Sequence, residues 1–246
     1  MTHTRHLVMV GLSHHTSPIE LRERLALDGK QREALLARLT GEDIFEEAVV
    51  ISTCNRVEYY ATTNDPRTGL SNLRQHFLTR AQDCDDRLYA RSDGDAVLHA
   101  FRVASSLDSM VVGEPQILGQ LKEAFGCAQE QGHVGSVLGR CFHRAFAVAK
   151  RVRNETGIAE GSVSVGSIAC DLASGIFGDL AGRRALLIGA GEMGEAAART
   201  VSQRGGQLHV INRSRERAQQ VADACGGTAR DQSDLIQELT DADVVI

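Results

Sequence analysis

Cys54 stands in the run Ile51-Ser52-Thr53-Cys54-Asn55-Arg56-Val57-Glu58-Tyr59-Tyr60, with a hydroxyl on one side and an amide and a guanidinium on the other. A thiolate is a strong nucleophile, and a nearby cation favours thiolate over thiol. The same residue also reads as a small hydrophobe closing a strand. A second candidate is Gly189-Ala190-Gly191-Glu192-Met193-Gly194, a G-x-G-x-x-G. Its first glycine permits a tight turn, its second lets backbone amides approach a pyrophosphate, and its third lets helix and strand pack closely. A third is the pair Gln116 and Gln120, four residues apart and so on one face of a helix. A solvated helix face accounts for such a pair equally well. His99, in Leu98-His99-Ala100-Phe101-Arg102, is on these residues alone an ordinary helix-face histidine.

The elements that must position these residues follow from apolar spacing. Ala48 to Ile51 and Val57 to Thr63 read as strands, which puts Cys54 in the turn between them. Leu7 to Leu12 reads as an earlier strand, after which Ser17 is expected to cap a helix with Pro18 at its first position and Glu20 completing a capping box. Helical spacing covers Lys30 to Leu39 and Pro66 to Ala81; Leu88 to Arg91 is a short strand, and Gly94-Asp95 opens another helix. This order predicts a split βαβ, ferredoxin-like sandwich. Pro115 suits the first turn of a helix reaching about Gln131, and Gly135 to Thr156 forms a further long helix with an apolar stripe. That helix ends in Lys150-Arg151-Val152-Arg153, the densest basic cluster in the chain. Favourable charge at a helix C-terminus is preferred here over an RNA-phosphate contact.

After Gly157 the pattern changes. Ser162 to Phe177 is a helix of small residues, and Arg184 to Ile188 is a continuous apolar strand of the kind buried in a parallel sheet. It runs directly into the glycine turn, and Leu208 to Ile211 supplies the second strand of a βαβ unit. That strand ends in Asn212-Arg213-Ser214-Arg215, where a site for NAD would place a carboxylate on the ribose hydroxyl. Arginine and serine suit a 2′-phosphate, so NADP(H) is the expected cofactor. Asp243 to Ile246 starts a fourth strand, and the sequence stops there. The expected fold class is α/β: a ferredoxin-like α+β catalytic domain over residues 1–156, then a Rossmann-type NADP-binding domain over 157–246 that is incomplete at its C-terminus.

Bulk properties narrow the class. The chain has 246 residues, enough for two domains, and its 42% hydrophobic and 24% charged residues are those of a soluble globular protein. A net charge of −5 gives no global basic field for nucleic acid, although a local patch would suffice. The six cysteines form no C-x-x-C pair and no zinc spacing. No apolar run approaches the roughly 18 residues of a membrane span, and none has the form of a signal peptide. A reducing, cytoplasmic compartment is expected.

Together these motifs resemble the glutamyl-tRNA reductase family. Gly11-Leu12-Ser13-His14-His15-Thr16-Ser17-Pro18 is similar to the family's opening motif, followed by Arg22-Glu23, and Ser52-Thr53-Cys54-Asn55-Arg56 to its nucleophile motif. Ser109 and Gly113-Glu114-Pro115-Gln116-Ile117-Leu118-Gly119-Gln120 resemble the substrate helix, and Gly189 to Gly194 the NADPH loop. The resemblance implies that Cys54 attacks the ester carbonyl of glutamyl-tRNA(Glu) to leave a thioester, which hydride from NADPH reduces to glutamate-1-semialdehyde with no metal. This is the first step of tetrapyrrole (porphyrin) biosynthesis from glutamate. It further implies that Arg56 pairs with the substrate's side-chain carboxylate, that Thr53, Asn55, Ser109, Glu114, Pro115, Gln116 and Gln120 hold the glutamyl group, and that His99 is an acid/base near Cys54. Gly189, Ala190, Gly191, Glu192, Met193, Gly194, Asn212, Arg213, Ser214 and Arg215 would bind NADPH.

The family also implies a homodimer, and glutamate-1-semialdehyde aminomutase as a partner. Its long connecting helix and dimerisation domain have no counterpart in this sequence, which is then either a fragment or a shortened protein. Two alternatives remain open at the level of sequence: an NADP-dependent small-molecule oxidoreductase, and a non-catalytic tRNA- or substrate-binding remnant.

Overall fold

A computed structural model describes residues 4–159 and 165–246. The chain divides into two compact units, Met1–Ser162 and Val163–Ile246, a boundary slightly beyond the Thr156 expected from sequence.

The first unit begins with β1 (His6–Ser13), α1 (Ile19–Leu25), α2 (Gly29–Thr40), β2 (Glu47–Ser52), β3 (Arg56–Thr63), α3 (Pro66–Leu78), β4 (Tyr89–Ser92) and α4 (Asp93–Ala104). Its four strands pair antiparallel in the order β2-β3-β1-β4, the ferredoxin-like arrangement expected from the element order. Two helices follow, α5 (Gln116–Glu130) and α6 (Ser136–Glu155).

Every residue of β3 is buried, because both faces of the sheet are covered. Alternation along the strand then separates two environments. Tyr59 stacks on Phe77 of α3 at 4.1 Å, whereas Tyr60 meets Phe142 of α6 edge-on at 5.3 Å. Arg56, Glu58 and Tyr60 therefore share the face covered by the later helices.

The start of the first helix departs from expectation. Pro18 is the N-cap of α1, one residue later than predicted, and no side chain caps that helix. The Ser17 hydroxyl instead donates to the Ser13 carbonyl at 2.9 Å, closing the turn after β1. A short hydroxyl side chain can satisfy a turn as readily as a helix end, and here the turn wins.

The second unit comprises α7 (Val165–Phe177), β5 (Arg184–Ile188), α8 (Glu192–Gln203), β6 (Gln207–Ile211), α9 (Arg215–Cys225), β7 (Thr228–Ala229), α10 (Leu235–Asp241) and β8 (Val244–Val245). Ser162, the expected start of α7, lies outside the described residues. The strands are parallel in the order β7-β6-β5-β8. The order reverses beside β5, so the turn leaving β5 opens at a topological switch point, where α/β sheets bind ligands. Among the described residues no helix is long and apolar enough to cross a membrane.

Candidate active site

Cys54 occupies the turn joining β2 to β3, and the turn is held by its own polar atoms. The Thr53 amide donates to the Arg56 carbonyl at 2.8 Å, while the Thr53 hydroxyl accepts from the Asn55 and Arg56 amides at 3.3 and 3.2 Å. The Asn55 carbonyl accepts from the His14 amide at 2.9 Å, which fastens this turn to the one after β1. Cys54 projects from it as an exposed residue.

The cation beside Cys54 is not the one expected. Arg22, a buried residue of α1, donates through Nε to the Cys54 carbonyl at 3.2 Å and through Nη1 to the Ser17 carbonyl at 2.5 Å. Its charge favours the thiolate, but crowding around the sulfur and the carboxylate of Glu114 outweigh it and push the Cys54 thiol above its ordinary value.

Arg56 points away from Cys54 into the sheet's covered face, where its side chain is 1% exposed. Nη1 donates to Glu58 at 2.7 Å, and both terminal nitrogens reach the Asp108 carboxylate at 3.1 Å; Nη2 also meets the Asp108 carbonyl. Glu58, wholly buried, accepts in addition from Tyr60 at 2.8 Å and Tyr89 at 2.6 Å, and bonds His99 Nε2 at 2.8 Å. The Arg56 guanidinium together with the His99 and Tyr89 bonds holds the Glu58 carboxyl well below the usual carboxylate range despite its burial. The same anion, with burial, pushes the Tyr60 and Tyr89 phenols well up. His99 thus belongs to a buried network beneath the turn. The guanidinium assigned by resemblance to a substrate carboxylate already holds two carboxylates of the protein, of which Asp108 is the more accessible.

The segment between α4 and α5 carries the remaining residues. Ser109 is buried, and among the described residues its hydroxyl has no hydrogen-bond partner; the same is true of His14 Nδ1. Buried polar atoms are rarely left unpaired, so these two are candidates for meeting a polar ligand. Glu114, Gln116 and Gln120 are half-buried, and Pro115 is the N-cap of α5.

Arg153, from the basic cluster at the end of α6, fixes this segment by donating to the carbonyls of Gly113 at 3.0 Å and Glu114 at 2.7 Å. The Ser106 hydroxyl donates to the same Glu114 carbonyl at 2.7 Å. Sequence reading named Arg22 only as a motif residue and Arg153 only within the basic cluster, and gave Asp108 no role; for Arg153 the available signal was a lone arginine facing the apolar side of a long helix.

In the second unit the glycine turn is made of backbone. Gly189 has φ 108°, a left-handed value natural to glycine, and a Cβ on Gly194 would collide with the Gly189 carbonyl oxygen. Gly191 is the N-cap of α8 with no side-chain cap, so the first amides of that helix face the turn. Glu192 and Met193 begin that helix.

Asn212 ties this turn to the next: its Oδ1 accepts from the Ala190 amide at 3.3 Å and its Nδ2 donates to the Ser214 carbonyl at 3.1 Å. Ser214 caps α9, and Arg217 donates to the Ala190 carbonyl at 3.1 Å. Arg215 is paired with Asp231, whereas Arg213 is exposed and has no ion-pair partner among the described residues. A left-handed glycine, an uncapped helix N-terminus and an exposed arginine after the second strand fit a dinucleotide with a 2′-phosphate. Among the described residues no group of three or more His, Cys, Asp or Glu could hold a metal ion.

A profile of the family described as "Glutamyl-tRNAGlu reductase, N-terminal domain" matches residues 10–156, which is more than half of the chain. The chain belongs to the glutamyl-tRNA reductase family. A second profile, "Shikimate / quinate 5-dehydrogenase", matches residues 171–246 and agrees with the parallel sheet and glycine turn of the second unit. A glutamyl-tRNA reductase of Sorangium cellulosum is 50% identical over 98% of this chain and 50% of its own length. Another, of Geobacter sulfurreducens, is 47% identical over 98% of this chain and 56% of its own. A solved structure of glutamyl-tRNA reductase from Methanopyrus kandleri superposes with a TM-score of 0.62 at 36% identity, covering 98% of this chain and 57% of that one. The chain spans about half the length of the curated relatives it matches.

Proposed function

We propose that this chain performs the chemistry of an NADPH-dependent reduction of glutamyl-tRNA to glutamate-1-semialdehyde, the reaction that opens tetrapyrrole synthesis from glutamate in the cytoplasm. The first unit would be the acyl-transfer domain and the second the nucleotide domain. The observation that carries the reading is the Cys54 turn: an exposed thiol on a hydrogen-bonded turn, with a buried arginine on its carbonyl and two unpaired buried polar atoms close by in the fold.

Cys54 attacks the ester carbonyl of the glutamyl group. A carbon–sulfur bond forms, the bond from carbon to the ribose oxygen breaks, and the tRNA hydroxyl leaves with the proton that sulfur gives up. Glu114 would help to hold the glutamyl group, and its charge, with burial, raises the thiol that must give up this proton. The Ser109 hydroxyl and His14 Nδ1 meet polar atoms of the glutamyl group, with Thr53, Asn55, Pro115, Gln116 and Gln120 around it. The substrate's side-chain carboxylate takes over the Asp108 edge of the Arg56 fork, whose planar donors suit a carboxylate.

His99, through Glu58, is assigned to orienting this fork rather than to direct proton transfer. Gly189–Gly194 would hold NADPH, with Arg213 placed for its 2′-phosphate, and the bound cofactor would supply the hydride needed to reduce the thioester. As the carbon–sulfur bond breaks, sulfur recovers its electron pair and Cys54 is regenerated. An α-amino aldehyde is labile, which favours direct transfer to the aminomutase that consumes it.

The test is to incubate the chain with labelled glutamyl-tRNA and no NADPH. A glutamyl adduct on Cys54 is expected by mass spectrometry, with none in Cys54→Ser. Adduct or aldehyde formed by Cys54→Ser would sink the thioester route.

A further inference from the structure

We infer that the exposed flank of α6 is the surface that holds the RNA of the substrate, an inference that rests on the glutamyl-tRNA reading above. The chain carries a net charge of −5, yet α6 contains Arg140, Arg144, Lys150, Arg151 and Arg153 against a single carboxylate, Glu155. Arg153 turns inward to the Gly113 and Glu114 carbonyls, and Arg151 pairs with Glu155 at 3.0 Å. Arg140, Arg144 and Lys150 are exposed and make no ion pair among the described residues. At about 100° per residue these three, with His143 and Ala147, fall within about a third of the helix circumference. Arg140 Nε donates only to the neutral Ser136 carbonyl at 3.0 Å, and exposed cations without a carboxylate partner keep their charge's attraction for a polyanion.

The helix also has the right course. Its first turn is bound to Glu47, at the start of β2, which accepts from the amides of Gly135, Val137 and Leu138 at 3.0, 3.0 and 2.7 Å. Cys54 follows the opposite end of β2, and the last turn of α6 is tied through Arg153 to Gly113 and Glu114, in the same segment whose Asp108 is bonded to Arg56, two residues after Cys54. The 20 residues of α6 therefore lead over about 30 Å from the far end of β2 toward the cysteine. An RNA whose acylated end lies at Cys54 would run back along this flank. Beside Arg140 and Arg144 opens a surface cleft of about 560 Å³, lined also by Gln129, Gly135 and Ser136, which gives a sugar–phosphate strand a concave seat between cations. With Glu47 occupying the helix N-terminus, the phosphates are met by side chains.

The experiment compares the chain with Arg140→Ala/Arg144→Ala/Lys150→Ala and with the charge-matched Arg24→Ala/Arg74→Ala/Arg87→Ala, whose arginines pair with aspartates. Binding of deacylated tRNA is measured against salt, and acylation of Cys54 by glutamyl-tRNA and by a small glutamyl thioester. The first variant is expected to bind tRNA at least tenfold more weakly, with a log–log salt slope shallower by about two to three. It should keep its rate with the thioester, which also reports that it is folded. Unchanged affinity and slope overturn the proposal, as does an equal loss in the charge-matched variant. The two readings fail separately. A parent acylated by glutamyl-tRNA, with a variant of unchanged KM, removes the surface and leaves the chemistry. A parent acylated by neither donor, with tRNA binding lost only in the first variant, removes the chemistry and leaves the surface.

Discussion

Around Cys54 the chemistry is assembled from side chains that arrive from the turn after β1, from α1, β3, the segment before α5 and the end of α6; around Gly189 it rests on the backbone of a glycine turn that Asn212 and Arg217 brace. The first arrangement depends on buried charges satisfying one another, the second on the absence of side chains. A site of the first kind should fail through electrostatics and one of the second kind through sterics, and that difference can be tested.

The largest effect is expected from Glu58→Gln, which leaves Arg56 buried beside an amide. Losing one partner of a buried pair costs about 3–5 kcal/mol, to be read from chemical denaturation. Glu58 is held below its ordinary value of 4.5, so its contribution is fully present above that pH and is lost as pH falls below it. The variant should lack that share of the acid sensitivity; equal acid profiles would contradict the role given to the network. Gly194→Ala should cost less, about 1–3 kcal/mol for a Cβ forced against the Gly189 carbonyl. Its signature is loss of NADPH binding with Cys54 acylation unaffected, checked by cofactor fluorescence; retained binding would mean that the turn yields. The smallest and most local effect is on the thiol itself. Glu114→Gln removes an anion that raises it, so iodoacetamide should alkylate Cys54 several-fold faster near neutral pH, and Arg22→Ala should slow the reaction. Shifts in the reverse sense would show that neither charge governs the sulfur.

The same contrast explains what could be read from the sequence. Strand runs such as Ala48–Ile51, the β5 run into a G-x-G-x-x-G, and the family motifs are local patterns, and the structure forms them with bounds shifted by a residue or so. The shape of the glycine turn was legible because it depends on glycines adjacent in sequence, whereas the bond from Arg217 to the Ala190 carbonyl, 27 residues away, was not. The cysteine site was legible in its members and not in its wiring. Arg56 looked like a free guanidinium beside Cys54, because nothing local says that it turns to Glu58 and to Asp108, 52 residues away. Arg22 reaches the Cys54 carbonyl across 32 residues, and Arg153 reaches Gly113 across 40. Ser17 had the spacing of a capping box, yet its hydroxyl found a nearer acceptor in Ser13.

The three amides that Glu47 accepts have a consequence for evolvability. A helix end that binds phosphate does so with backbone groups no substitution can grade; with the N-terminus of α6 filled by the chain's own carboxylate, the proposed RNA contact on this helix falls to the side chains of its flank. There each cation can be gained or lost singly, so grip on a nucleic acid can be tuned in small steps without disturbing the helix that carries it.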